Sequence, residues 1–194
     1  MIKVLTSLFT VLIFALALAP TSVAWSGITH KDIVDEVYYS LPADAQQNLI
    51  LDEMRNGSDD PDYKFFDFSY HRYPASYQKA DYWLDRAELA YQNGDYHQAS
   101  YSLGVASHYI SDSFDGPHCV SASTGYHTLY EVQATLLTPK ITYKSGNLKS
   151  LMANGHLKGE YSWNSWMMTR DLFYVQDDLD RATSACYVAI SNRV

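Results

Sequence analysis

An almost unbroken apolar run from Leu5 to Ala19 opens the chain, and beyond it the apolar positions recur with a helical period. Lys3 precedes the run, Pro20 breaks it, and Ser22-Val23-Ala24 puts small residues where a signal peptidase reads them. That order of charge, apolar stretch and small residues is the pattern of a secretory signal peptide. The run falls short of the ~20 residues that span a bilayer. The expectation is therefore a signal peptide over 1–24, cleavage before Trp25, and a secreted or extracytoplasmic protein of residues 25–194. Past the cleavage point, Ile33, Val34, Val37 and Leu41 repeat at helical spacing behind Thr29 and Asp32, which read as a capping box. Pro42 opens a second helix carrying Leu49, Ile50, Leu51 and Met54, with Asn56-Gly57 as its stop. Further helices are predicted over 76–91, 96–113, 125–136 and 163–190. Asp115-Gly116-Pro117 reads as a stop. Two stretches lack a period: 57–73, rich in Asp and aromatic rings, and 138–160, polar and rich in Gly, Lys and Asn, which reads as a long loop or a lid. No internal repeat interrupts the series. The pattern predicts an all-α, single-domain helical bundle.

Composition changes this picture in two places. The 194-residue chain has a formal net charge of −8, which argues against non-specific nucleic-acid binding. It has two cysteines, Cys119 and Cys186. In an exported chain such a pair can form one disulfide, with two buried thiols as the alternative.

The chemistry concentrates in Ser107-His108-Tyr109-Ile110-Ser111-Asp112-Ser113-Phe114-Asp115-Gly116-Pro117-His118. His108 and Asp112 stand at i and i+4, so they share one helix face. His118 follows just past the stop. His127 and Glu131 repeat the i, i+4 arrangement on the next helix. Imidazole nitrogen and carboxylate oxygen are zinc donors, and five of them within so short a stretch point to a metal site. A loop with Asp59, Asp60 and Asp62 leads to His71, and the expected new N-terminus places Trp25 near His30. A free α-amino group and its own carbonyl can chelate a metal once the amine is neutral, and its reference pKa is only about 7.7–8.0. His97 and His156 read as solvated, and Asp59, Asp60 and Asp67 as loop-solvating residues. The Trp163, Trp166, Met167 and Met168 cluster reads as core.

These motifs resemble the zinc-dependent phospholipase C family, which shares its fold with the S1/P1 nucleases. The matching features are an N-terminal Trp exposed by processing, a His on the first helix, and Asp-Tyr-Lys leading to a His. They continue with His-x-x-x-Asp followed by Pro-His, and then His-x-x-x-Glu. The resemblance runs from Trp25 to Glu131 and implies an all-α fold, up to three zinc ions, and hydrolysis of a phosphodiester by metal-activated water. It implies that Trp25, His30 and Asp112 hold one zinc, and Asp62, His71, His108 and a bridging Asp112 another. The third would be held by His118, His127 and Glu131. Asp62, chosen over Asp59 and Asp60 for its Asp-Tyr-Lys context, would orient or deprotonate the attacking water. Tyr63 and Phe68 fall where the family's phospholipases keep aromatic residues near the lipid head group. Ile28 stands where an acidic head-group residue is expected, a departure that bears on choline specificity rather than on hydrolysis. The spacings from Trp25 to His30 and from His118 to His127 are also shorter than in the bacterial phospholipases. The expected partner is a phospholipid or other phosphodiester, with peripheral membrane contact and no obligate protein partner evident. A nuclease or other phosphoesterase, or a zinc-stabilised binding protein without activity, are the competing readings.

Overall fold

The computed structural model describes residues 25–120, 122 and 124–194, so the expected signal peptide over 1–24 lies outside the described residues. Among the described residues there is no strand, and the architecture is the expected all-α bundle. Helix α1 (Gly27–Ser40) begins behind Ser26, whose hydroxyl accepts from the Thr29 N–H at 3.4 Å. The cap is therefore Ser26 rather than a Thr29/Asp32 box. The helix expected after Pro42 is two, α2 (Ala43–Asn48) and α3 (Leu51–Asp60). The break is stabilised by the Ile50 N–H, which donates to Ser100 Oγ at 2.8 Å instead of continuing the helix. A π-turn (Pro61–Phe65) and a 3-10 turn (Phe68–Tyr70) follow, joined through Phe66 in the left-handed region at φ 52°. Then come α4 (Ala75–Gln92), α5 (Tyr96–Asp112), the short α6 (Gly116–Val120), α7 (Thr124–Ala134), α8 (Leu148–Thr169) and α9 (Leu172–Ser191).

Helix α5 is the axis of the bundle. Every residue from Ser102 to Asp112 is buried, as expected of a helix covered on all sides. Leu103, Val105, Ala106, Tyr109 and Ile110 enter a core shared with Ile33, Val37 and Leu84, and with Leu179 and Ala182 of α9. A second cluster is aromatic: Trp25, Tyr130, Trp163 and Trp166, so the Trp163/Trp166 pair is core.

Two expectations about the C-terminal half need correction. The segment 138–160 is neither a long loop nor a lid. Its first part runs along α9, where Lys140 N donates to Asp180 Oδ1 at 3.0 Å and Thr142 N to Ser184 Oγ at 2.8 Å. From Leu148 it is helix, started by Asn147, whose side chain accepts from Ser150 N at 3.1 Å. The helix expected over 163–190 is likewise divided, because Arg170 turns the chain at φ 59°. The cysteines are two buried free thiols, Cys119 donating to Ser113 O and Cys186 to Ser107 O. No disulfide joins them.

Helices α3 and α5 cross backbone to backbone, and this contact positions the chemistry described below. A Cβ on Gly104 would lie 2.0 Å from Met54 O, and one on Gly57 would lie 2.2 Å from Tyr101 O. Gly57 is thus a crossing point inside α3 and not the stop expected there. Backbone cannot yield as a flexible side chain can, so Gly104→Ala should destabilise by about 3 kcal/mol or more, at the upper end of overpacking. A urea midpoint unchanged from wild type would contradict this crossing.

Candidate metal centre

The α3–α5 crossing sets Ser58 against His108 one turn further along α5. His108 Nδ1 donates to the Ser58 carbonyl at 2.7 Å, which leaves its Nε2 facing inward. There it lies 3.2 Å from Asp112 Oδ2 and 3.7 Å from Asp62 Oδ1. His71, carried by the turn after Phe68–Tyr70, brings Nδ1 to 3.0 Å from Asp112 Oδ2 and 3.6 Å from Asp62 Oδ1. From α1, His30 points Nε2 at Asp112 Oδ1, 3.4 Å away, and its ring stacks on His108 at 4.0 Å.

The tautomer of His30 follows from a chain of hydrogen bonds. Ser111 Oγ has one proton, and it donates that to His108 O at 3.0 Å. Its contact with His30 Nδ1 at 3.1 Å must then be an acceptance, so His30 carries its proton on Nδ1 and a lone pair on Nε2. Supporting groups that fix the outer nitrogen of a ligand histidine are the usual accompaniment of a metal. His30 Nε2, His71 Nδ1, His108 Nε2, Asp62 Oδ1 and both Asp112 oxygens are buried without a hydrogen-bond partner. Buried polar groups are almost always satisfied. These atoms converge on shared points without a hydrogen bond between them, and nitrogen and carboxylate oxygen are the donors zinc takes once any proton is displaced.

A second assembly is built from the segment that follows Asp112. It comprises Asp115, His118 on α6, and His127 and Glu131 on α7, with one donor atom from each lying within 4.8 Å of the others. His127 Nε2 and Glu131 Oε1 approach to 2.7 Å without the alignment of a hydrogen bond. The other groups of this kind are His30, His108 and Asp112, and Asp62, His71 and His108. Eight of the nine residues expected from the sequence thus come together by side chain: His30, Asp62, His71, His108, Asp112, His118, His127 and Glu131. For the ninth, Trp25, the structure gives the ring. It is buried, with Nε1 donating to Ser111 O at 3.1 Å, next to Asp112.

Electrostatics follow from crowding charges away from water. Burial alone would lower His108, but Asp112 and Asp62 outweigh it and lift the imidazole to about 9. Asp112 is the mirror case: burial would raise it, and His108 and His30 hold it well below the usual carboxylate range. Burial raises Asp62 to about 6. It also raises Glu131, with Asp115 and Asp112 adding to the effect. Burial depresses His118 to about 3 and His127 to about 4, so both rings are neutral and ready to ligate at pH 7. A metal must displace the protons held by His108 and Glu131, so zinc should bind more tightly as pH rises from about 6 to about 9. The metal-free fold should respond in the opposite sense. The raised pKa of His108 stabilises below its unfolded value of 6.5, and that contribution is lost as pH rises through about 9. Calorimetric titration with zinc at pH 7, in two buffers of different ionisation heat, should show net proton release. Zero release would contradict the assignment.

Around this centre the expected residues divide. Phe68 lines a cleft of about 280 Å³ with Arg72, His118 and His127. Tyr63 is exposed and does not line that cleft; it lies beside Gly27 and Asp59. Asp59 pairs with Lys31 at 2.5 Å, and Asp60 accepts from Tyr101 at 2.7 Å and Lys64 at 2.9 Å, so neither joins a donor group. Asp67 is more than a loop-solvating residue. It accepts from Tyr109 at 2.7 Å, pairs with Lys79 at 3.0 Å and faces His71 Nε2 at 3.8 Å. His97 is exposed as expected, whereas His156 is largely covered, against Tyr73 and Glu160. Asp115 was missed, because Asp-Gly-Pro reads as turn chemistry and a turn-forming Asp gives no other sign in the sequence.

The sequence model of the zinc dependent phospholipase C family matches residues 29–179. No curated protein matches the chain.

Proposed function

The chain belongs to the zinc-dependent phospholipase C family, and on that premise we propose that it is an exported phospholipase C that cleaves phospholipid head groups at a centre of up to three zinc ions. Its family membership supports a phospholipase C-like, zinc-dependent function. The observation that carries this reading is the set of buried donor atoms on His30, His71, His108, Asp62 and Asp112, which have no hydrogen-bond partner in the protein.

In this reading Asp112 would serve both donor groups, its Oδ1 facing His30 and its Oδ2 facing His71 and His108. Bound zinc supplies Lewis acidity, lowering the pKa of water toward about 7 and neutralising the phosphate oxygens. Asp62, whose carboxylate lies beside His71 and His108, would be the group to orient the attacking water and take its proton. Phe68 lines the cleft wall, and Arg72 on the same cleft would supply a cation for an anionic phosphate.

The amine and carbonyl of Trp25 complete the His30/Asp112 site after signal cleavage. Adding one residue before Trp25 should therefore remove one zinc equivalent while leaving the fold intact. Metal content equal to that of the protein starting at Trp25 would sink this role. For the substrate, the test is release of phosphorylated head group and diacylglycerol from phosphatidylcholine vesicles, beside single-stranded DNA and a soluble aryl phosphodiester. The expected order is lipid first. DNA cleaved faster than lipid would replace phospholipase with nuclease.

A further inference from the structure

Asp115 is fully buried, yet neither of its carboxylate oxygens has a hydrogen-bond partner. It occupies the position just before α6, where an Asp side chain ordinarily accepts from the N–H groups of the first turn. Here its oxygens do not. Its backbone is fully engaged, with N–H donating to Asp112 O at 3.2 Å and C=O accepting from Cys119 N at 3.0 Å, so the side chain is free to point elsewhere. It points into the His118/His127/Glu131 group. Oδ2 lies 3.8 Å from His118 Nε2 and 3.9 Å from His127 Nε2, and among the described residues these imidazoles are its only ion-pair contacts.

Donors around a tetrahedral zinc at ~2.0–2.1 Å lie roughly 3.3 Å apart. Asp115 Oδ2 stands about half an ångström beyond that spacing from both imidazoles, while His127 Nε2 and Glu131 Oε1 are already at 2.7 Å and all four donors lie within 4.8 Å, so an ion would draw Asp115 in. We propose that Asp115 is a fourth protein ligand, so that Asp115, His118, His127 and Glu131 form a closed zinc site. This rests on reading the donor groups as zinc sites, and it adds a residue that the family resemblance did not supply.

The consequence is a division of labour. Zinc with four protein donors keeps no open position for water, which is the mark of a structural site. The site would fasten α6 and α7 to the end of α5. Activation of the attacking water would fall to the groups around Asp62, His71, His108 and Asp112.

The test is a crystal structure of the zinc-loaded wild-type protein, with ions located by anomalous scattering at the zinc edge. The expected result is an Asp115 oxygen within ~2.0–2.2 Å of the ion beside His118. An ion held by His118, His127 and Glu131, with water in the fourth position and Asp115 out of contact, overturns this inference alone. Absence of zinc from every group overturns the functional reading with it. Independently, Asp115→Asn keeps the side-chain shape and removes the charge. In competition with a chelator, its zinc affinity at this site should fall at least ~10–100-fold, since even groups behind the ligands carry that much. Affinity equal to wild type overturns the inference, and if the variant fails to fold the wild-type crystal still decides.

Discussion

Stripping the protein of zinc should lower its unfolding midpoint by about 15–30 °C. Metal-free, the folded chain keeps His30 Nε2, His71 Nδ1, His108 Nε2 and both oxygens of Asp112 and Asp115 buried and unsatisfied. Each such group destabilises by roughly 1–3 kcal/mol. A metal that binds only the folded state adds about 4 kcal/mol per site at a thousandfold excess over Kd. Two filled sites give about 8 kcal/mol, and a chain of this size shifts by ~2–4 °C per kcal/mol. Calorimetry with and without a chelator, followed by zinc replacement, checks the value. Identical midpoints would mean that the convergent donors hold no ion.

The second large effect is expected at Asp112. Asp112→Asn should lower kcat/KM at least ~1000-fold, equivalent to about 4 kcal/mol of transition-state stabilisation. One carboxylate faces His30 through Oδ1 and both His71 and His108 through Oδ2, so its loss weakens two donor groups at once. It also removes the leading influence that raises His108 against burial. The variant should lose zinc from those groups and keep it at His118, His127 and Glu131. His97→Ala, exposed and remote, serves as the control. A variant with wild-type activity and metal content would remove the bridge from the account.

The sequence disclosed the centre better than it disclosed the helices that carry it. His108/Asp112 and His127/Glu131 were legible because i, i+4 spacing fixes a shared face wherever a helix forms. Asp62 was separable from Asp59 and Asp60 by its Asp-Tyr-Lys context, and in the fold it alone of the three joins a donor group, while Asp59 Oδ2 pairs with Lys31 and Asp60 with Tyr101 and Lys64. Helix α8 was illegible for a packing reason. Its Gly155 and Gly159 look like loop residues, but a Cβ there would lie 2.3 Å from the Phe114 ring and 2.5 Å from Cys119 Sγ. Close approach to the segment carrying Asp115 and His118 requires glycine, and tertiary packing overrides helix propensity. The division between α8 and α9 depends on Arg170 in a left-handed conformation, which no glycine marks. Asp115 was hidden by the opposite confusion, a residue with good turn chemistry whose side chain serves another purpose.

If these buried donors form a zinc centre for phosphodiester hydrolysis, activity must follow bound metal. The most direct measurement adds zinc stepwise to metal-free protein beginning at Trp25, following bound metal and phosphatidylcholine hydrolysis in the same samples. The expected result is no hydrolysis without metal, and activity that rises with bound zinc and saturates by three equivalents. Hydrolysis by the metal-free protein, or zinc bound to saturation with no hydrolysis of any phosphodiester, would contradict it.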